Sequence, residues 1–144
     1  LRQLDRTDAC LDTVREAIDL VIEDADRGLA YELVHEAADI ALAAQRYSRA
    51  VDILAPTVAR FAAGASDSEA PPLSELRAKL GRCRFLNGEA DQGESELLVA
   101  CETLLRAPGP DAPSTQQAMR WLVEILEQTG KSDQAAAYRQ ALKP

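Results

Sequence analysis

Apolar residues recur every three or four positions between Leu73 and Leu105, which is the spacing of one face of an α-helix. In the first half of this stretch the face consists of four residues: Leu76, Leu80, Cys83 and Leu86. In the second half it continues as a second set: Ala90, Glu94, Leu97, Leu98, Cys101 and Leu105. Asn87 and Gly88 separate the halves, and both tolerate the left-handed backbone that ends a helix. The pattern therefore predicts two antiparallel helices joined at Asn87-Gly88.

Gly81 stands in the interior of the first predicted helix. Glycine costs about 1 kcal/mol relative to alanine at such a position, so its presence needs a structural reason. We expect a neighbouring helix to approach the backbone closely at Gly81.

The hairpin pattern recurs along the chain at a fixed spacing. A forward shift of 42 residues places Gly88 on Gly130, and a backward shift of 43 residues places Leu97 on Leu54. A period between 20 and 50 residues with a helical hairpin inside it is typical of an α-solenoid.

These repeats resemble the tetratricopeptide repeat (TPR) family from about Leu29 to Pro144. Three groups of residues carry the resemblance: Leu80-Gly81 with Gly88; Gly130 with Ala135, Tyr138 and Ala141-Leu142; and Gln45-Arg46-Tyr47 with Ala50 and Leu54. Gln45 stands where the family has a turn glycine. The long period and the loop over 109–115 look most like the 42-residue kinesin-light-chain variant of the family.

The predicted fold is all-α, an α-solenoid of about seven antiparallel helices in one domain. Twenty-six alanines and only three Phe and Trp residues fit closely packed helices. The predicted division is a leading helix from an incomplete repeat over 1–27, followed by repeats over 29–63, 73–106 and 114–143.

The apolar spacing also predicts where the remaining helices begin and end. We expect a first helix over 1–26 that Gly28 breaks, and a second from Leu29 to Ala44. Ser48 is the predicted N-cap of a third helix that reaches Ala63 and kinks at Pro56.

Two loops rich in proline and glycine are predicted, one from Gly64 to Pro72 and one from Ala107 to Pro113. Asp111 or Ser114 is the expected cap of the helix that reaches Gln128, and Ser114 with Gln117 fits a capping box. The last helix is expected over 132–142.

The leading helix carries an apolar stripe at heptad-like spacing: Leu4, Leu11, Val14, Ile18, Val21 and Ala25. If the helix that would precede it is missing, this stripe is an exposed edge that the parent protein covers or that pairs with a second copy. The chain begins at Leu1 rather than methionine, from which we expect a fragment or a processed product.

The net charge of −8 is concentrated at one end of the chain. Residues 1–40 contain eleven acidic and four basic side chains, whereas residues 41–144 are nearly balanced. Such a surface repels phosphate backbones, which argues against nucleic-acid binding through the amino-terminal part. A solvated polar face is the simplest interpretation, and an acidic docking surface for a basic partner is the alternative.

Candidate chemistry is sparse. Cys10, Cys83 and Cys101 are widely spaced within apolar helical patterns, so we interpret them as small buried residues in a reducing compartment. No metal site or cofactor is predicted, and no membrane span or signal peptide is evident. His35 is the only histidine and lacks a nucleophile in the sequence around it, so we expect no enzyme.

The resemblance implies a concave groove lined by the first helix of each hairpin. Carried over by repeat position, the peptide-binding residues are Glu32, His35, Asp39, Ala78, Arg82, Phe85, Gln117, Arg120 and Glu124. Arg82 and Arg120 are the strongest candidates, because a guanidinium can bind a carboxylate through two hydrogen bonds. Trp121, the only tryptophan, is expected in the core or the groove wall.

The function that these observations favour is a non-catalytic protein–protein interaction module. The resemblance implies a part of a larger cytoplasmic bacterial signalling or scaffold protein. Two alternatives stay open: a structural element that forms a homodimer through residues 1–26, and a small acidic chaperone of the secretion type.

Overall fold

The computed structural model describes residues 2–23 and 27–144, apart from the side chains of residues 2 and 4. Regular structure in this part of the chain consists of seven α-helices and one short 3-10 turn, Asp67–Glu69. The helices are α1 (Arg2–Glu23), α2 (Arg27–Ala43), α3 (Tyr47–Ala62), α4 (Ala70–Leu86), α5 (Ala90–Arg106), α6 (Pro113–Gln128) and α7 (Ser132–Ala141).

The helices stack in the order of the chain. Each helix packs against the next, and α2, α4 and α6 also contact one another in succession. Successive antiparallel hairpins therefore form a solenoid with α2, α4 and α6 side by side. This confirms the predicted fold class, an all-α solenoid of seven helices.

Three turns close three hairpins in the same way. Gln45, Gly88 and Gly130 adopt positive φ angles of 56°, 86° and 78°. In each turn the next amide donates to a carbonyl five residues earlier, at 2.7 to 2.8 Å: Arg46 to Ala41, Glu89 to Arg84 and Lys131 to Leu126. This is the 6→1 bond of a Schellman motif, which satisfies a carbonyl at the helix end. Gln45 thus takes the conformation that glycine takes in the other two turns.

The buried side chains form two clusters that meet at α4. Leu76 and Leu80 belong to a cluster that α4 shares with α1, α2 and α3. Ala78, on another side of α4, belongs to a cluster with residues of α5, α6 and α7. Because α4 contributes to both, it joins the two halves of the solenoid.

The backbones of α4 and α5 come very close at two glycines. A Cβ atom added to Gly81 would lie 2.8 Å from the carbonyl oxygen of Gly93, and one added to Gly93 would lie 2.7 Å from that of Gly81. The close approach predicted at Gly81 is confirmed, and Gly93 is its counterpart on α5.

The apolar stripe of α1 is not an exposed edge. Leu11 is fully buried and Ile18 nearly so, in the cluster that includes side chains of α2 and α3. The expectation of an exposed stripe for pairing with a second copy is wrong at these positions, because the stripe packs against α2 and α3 of the same chain. Leu4 and Ala25 lie outside the described side chains.

Ion pairs neutralise part of the acidic surface of α1. The pairs join α1 to α3 and to the turn before it: Arg46–Asp8 at 3.2 Å, Arg49–Asp12 and Arg60–Asp19 at 3.2 Å. Exposed pairs of this kind each contribute about 0 to 1 kcal/mol, so their main effect here is on the surface potential. Cys10, predicted to be buried, is exposed on the same helix, whereas Cys83 and Cys101 are buried as predicted.

Two helices begin earlier than the sequence predicts. Gly28 does not break a helix, because α2 already begins at Arg27, whose side chain is held by Glu69 (2.5 Å) and by the Phe61 carbonyl (3.0 Å). Ser48 is not the cap of α3, since that helix begins at Tyr47 directly after the Gln45 turn. Tertiary contacts and turn geometry thus outweigh the local signals. Pro56 lies inside α3, and the kink expected there stays a prediction.

The two prolines at the end of the first predicted loop belong to a helix. Pro71 and Pro72 lie in the first turn of α4, where a missing N–H costs nothing because helical amides there have no partner. The capping box predicted for α6 is also wrong. Ala112 is the N-cap and no side chain caps the helix, so Ser114 and Gln117 lie within α6 itself.

Candidate functional site

A cavity of about 110 Å³ lies where α2, α4 and α6 meet. All three helices contribute to its wall, and the lining residues are His35, Glu75, Ala78, Lys79, Ser114, Gln117 and Trp121. At the volume that liquid water occupies, the space corresponds to about four water molecules, or one long side chain. The cavity lies among the first helices of the three hairpins, where the sequence predicts a groove.

Helical spacing explains why these side chains converge. Ser114, Gln117 and Trp121 follow one another at steps of three and four residues, so they lie on one face of α6. Glu75 stands at the same spacing before Ala78 and Lys79 on α4. The helices α4 and α6 therefore each present one stripe to the cavity, and α2 contributes His35.

The structure brings three of the nine predicted groove residues together at the cavity: His35, Ala78 and Gln117. Ala78 is buried and Phe85 half-buried against the second cluster, so both also serve packing. Glu32, Asp39 and Arg120 are exposed on α2 and α6 and do not line the cavity. Trp121 lies in the cavity wall and packs on the second cluster, as the sequence predicts.

Arg82 and Glu124, both predicted to contact a partner, contact each other. Arg82 Nη1 lies 2.5 Å from Glu124 Oε2, and only 19 % of the Arg82 side chain is exposed. Between α4 and α2, Lys79 Nζ lies 2.7 Å from Asp39 Oδ1. One ion pair therefore bridges α2 to α4 and another bridges α4 to α6. Arg120, the other candidate arginine, forms no ion pair with the described residues.

His35 is uncharged at neutral pH. Its burial, and next the positive charge of Lys79, lower the pKa of His35 to about 4, although Asp39 acts in the opposite direction. Its Nε2 lies 3.9 Å from Glu75 Oε2, a pair that attracts only when the imidazole is protonated. His35 therefore serves as a neutral polar wall of the cavity.

We expect an NMR titration of the His35 ring to give a pKa near 4 in the folded protein. The unfolded chain has the ordinary value near 6.5, so between these values only the unfolded state binds the proton. The free energy of unfolding therefore carries the full contribution of the neutral His35 above pH 6.5. This contribution is lost as the pH falls from 6.5 toward 4. The loss is roughly 3 kcal/mol at most.

The matched control is His35→Gln, which keeps a polar side chain and removes the titration. Its unfolding free energy should fall less between pH 6.5 and 4 than that of the original protein, because carboxylates alone then respond to pH. A measured His35 pKa of 6 or above would contradict the burial and charge described here.

Glu75 is the carboxylate of the cavity without a cationic partner. Within the described residues its nearest ionisable contact is the neutral His35, and it forms no pair with Lys79, which is engaged by Asp39. Its side chain is 38 % exposed. The uncompensated charge at the cavity is therefore negative.

The cavity brings a serine, a histidine and a glutamate together, but not in the arrangement of a hydrolase. A catalytic triad needs a hydrogen bond between the hydroxyl and the imidazole, at about 2.6 to 3.2 Å, and a base titrating near neutral pH. Ser114 and His35 form no hydrogen bond, and the pKa of His35 is about 4. The geometry does not favour nucleophilic catalysis.

Sequence reasoning missed Glu75, Lys79 and Ser114. The signal was present, because each stands three or four residues from a predicted site residue on the same helix. Arg82 and Glu124 are 42 residues apart, the period of the repeat, but the period alone does not show that their side chains reach each other.

The described residues form neither a metal-binding cluster nor a membrane-spanning helix. No group of three or more His, Cys, Asp or Glu residues in this part of the chain is placed to hold a metal ion. None of the described helices combines the length and apolar character needed to cross a bilayer.

Comparison with known proteins gives a likeness in structure alone. No family model matches the chain, and no curated protein matches its sequence. Six chains of solved structures match, among them the crystal structure of BtubC (BKLC) from P. vanneervenii. The TM-score is 0.73 at 17 % identity, and the match covers 96 % of this chain and 55 % of BtubC. The fold is TPR-like.

This likeness shows a fold and leaves the activity to the site itself. The chain spans about half the length of BtubC, so what the whole of that protein does is not carried over. TPR-like solenoids are helical repeat folds whose concave surfaces suit protein interaction. The cavity among α2, α4 and α6 lies where such a surface is expected.

Proposed function

We propose that this protein is a non-catalytic interaction module that binds a peptide or a partner segment in the groove formed by α2, α4 and α6. The observation that carries the proposal is the cavity, because residues from all three of these helices line it. Because three successive hairpins contribute to the cavity, a partner can contact it as one surface only when the helices are stacked in the solenoid.

Two features support a preformed site. The central helix α4 contacts both α2 and α6 directly, and the Lys79–Asp39 and Arg82–Glu124 pairs link the three helices on the same side of α4. A groove held in this way loses little conformational freedom when it binds, which favours affinity. The remaining predicted contact residues, Glu32, Phe85 and Arg120 among them, extend the proposed surface beyond the cavity.

We further propose that the module follows the 42-residue kinesin-light-chain-like pattern and works within a larger cytoplasmic bacterial signalling or scaffold protein. The spacing of the turns, 43 and 42 residues, supports the first part. Of the second part, the larger size is supported by BtubC, a longer chain of which the match covers 55 %. No feature of the described residues favours a secretion-type chaperone over this interpretation.

Selection from a random peptide library on immobilised protein tests the proposed groove. We expect the selected peptides to bind the original protein and to lose about tenfold or more in affinity for the double variant Trp121→Ala, Gln117→Ala, because both side chains line the cavity. A tenfold loss corresponds to about 1.4 kcal/mol of binding free energy.

The matched control is Val99→Ala, Glu102→Ala, two exposed positions on α5 away from the cavity. Circular dichroism should show both variants folded. If the peptides lose affinity for the α5 variant and not for the groove variant, the binding surface lies on the outer helices instead. If no peptide is enriched, the result counts against peptide binding.

A further inference from the structure

We propose that the cavity between α2, α4 and α6 binds a lysine or arginine side chain of the partner segment. In this arrangement the carboxylate of Glu75 binds the cationic head group, and Trp121 and Ala78 cover the aliphatic stem. The inference rests on the proposed function, and it adds the chemistry of the residue that the cavity selects.

The charges around the cavity leave one group to be neutralised. Lys79 is paired with Asp39 at 2.7 Å, whereas Glu75 has only the neutral His35, at 3.9 Å. Glu32 adds a further negative charge, since it is exposed on α2 one turn before His35 and forms no ion pair with the described residues. A cation entering from a partner meets an unpaired carboxylate in partly desolvated surroundings, where the interaction is stronger than in water.

The walls of the cavity suit the rest of a basic side chain. Lysine and arginine bury an apolar stem while the charged head reaches a polar rim, and a volume of about 110 Å³ accommodates one such side chain. Trp121 lines the cavity, and tryptophan is the aromatic side chain that most favours a cation. The same seven lining residues thus provide a stem site and a head-group site.

Other side chains fit these surroundings less well. A leucine would fill the space but would shield Glu75 from water without giving it a partner, which costs free energy. A glutamate would place a second carboxylate beside Glu75, and the single positive charge of Lys79 is already shared with Asp39. Charge complementarity therefore selects a basic residue.

An NMR titration with three blocked pentapeptides, Ala-Ala-X-Ala-Ala with X as arginine, leucine or glutamate, tests the inference. Trp121 is the only tryptophan, so its indole N–H signal reports on the cavity without assignment of the spectrum. We expect the arginine peptide to shift this signal, with a dissociation constant about tenfold lower than that of either other peptide. The arginine preference should weaken as salt is raised, because the pair is partly exposed.

The variants Glu75→Gln and Glu36→Gln make the matched comparison. Both remove one negative charge, but Glu36 is exposed on α2 and does not line the cavity. Glu75→Gln should lose the preference for arginine, and Glu36→Gln should keep it. Equal losses would mean general attraction to an acidic surface and would overturn the inference.

The peptide results also separate this inference from the proposed function. If the leucine peptide shifts the Trp121 signal as strongly as the arginine peptide, the basic selectivity is wrong while the groove still binds peptides. If no peptide shifts the signal, the cavity selects no side chain and the inference fails. The library selection then decides the proposed function independently.

Discussion

Gly93→Ala is expected to lower the unfolding free energy by about 3 kcal/mol. The added Cβ would lie 2.7 Å from the Gly81 carbonyl oxygen and 2.9 Å from the Phe85 nitrogen, and both are backbone atoms that cannot rotate away. The helices α4 and α5 must therefore separate, and an overpacked core typically costs 1 to 3 kcal/mol or more. The gain of about 1 kcal/mol in helix propensity cannot offset this.

Thermal unfolding followed by circular dichroism measures the effect. A loss of this size should lower the midpoint by roughly 6 to 12 °C in a domain of about 150 residues. Gly64→Ala is the control, because the nearest atom to its added Cβ is the Arg27 guanidinium at 3.9 Å. We expect little change there. A Gly93→Ala midpoint equal to that of Gly64→Ala would show that α4 and α5 can move apart at little cost.

The close contact at Gly81 and Gly93 shows what the sequence pattern could predict. Glycine is unfavourable inside a helix, so its presence there indicated a tertiary contact. That contact is the close approach of the neighbouring helix backbone. The turns at Gly88 and Gly130 followed from glycine chemistry in the same way. Gln45 was placed by the repeat period alone, since nothing in a glutamine indicates a left-handed backbone.

The starts of the helices show what the sequence could not predict. Ser48 and Ser114 are good local caps, yet α3 begins after a turn whose closing hydrogen bond fixes the chain, and α6 begins at a proline. In both cases the turn or the proline beside the predicted cap decides the boundary. Local cap signals are weak against such constraints, at about 1 kcal/mol each.

The candidate site could be predicted from the sequence only in part. The repeat period correctly brought His35 and Ala78, which are 43 residues apart, to one cavity. Gln117 lines it from one turn before Arg120, the equivalent position 42 residues after Ala78, which is exposed and does not line the cavity. The repeat period did not reveal that Arg82 is occupied by Glu124. Pairing across helices depends on side-chain reach, which periodicity does not contain. The same limit hid the unpaired state of Glu75, the feature on which the selectivity of the cavity depends.

Leu11→Glu is expected to detach α1 from the rest of the chain. Leu11 is fully buried among side chains of α2 and α3, so the variant would bury a carboxylate without a cationic partner. Such a change costs about 3 to 5 kcal/mol, and among the described helices α1 packs on α2 and α3 alone. Because each repeat of a solenoid contacts only its neighbours, the remaining helices should stay folded.

Hydrogen exchange and circular dichroism measure this outcome, with a loss of helicity limited to the 22 residues of α1. Leu20→Glu makes the same change of charge on the same helix at a position that is 64 % exposed, and it should leave both measurements unchanged. Sedimentation distinguishes the rival interpretation of this stripe. A Leu11→Glu protein that keeps its helicity and changes from dimer to monomer would show that Leu11 serves an interface between copies, and α1 would then have to pack differently from the arrangement described here.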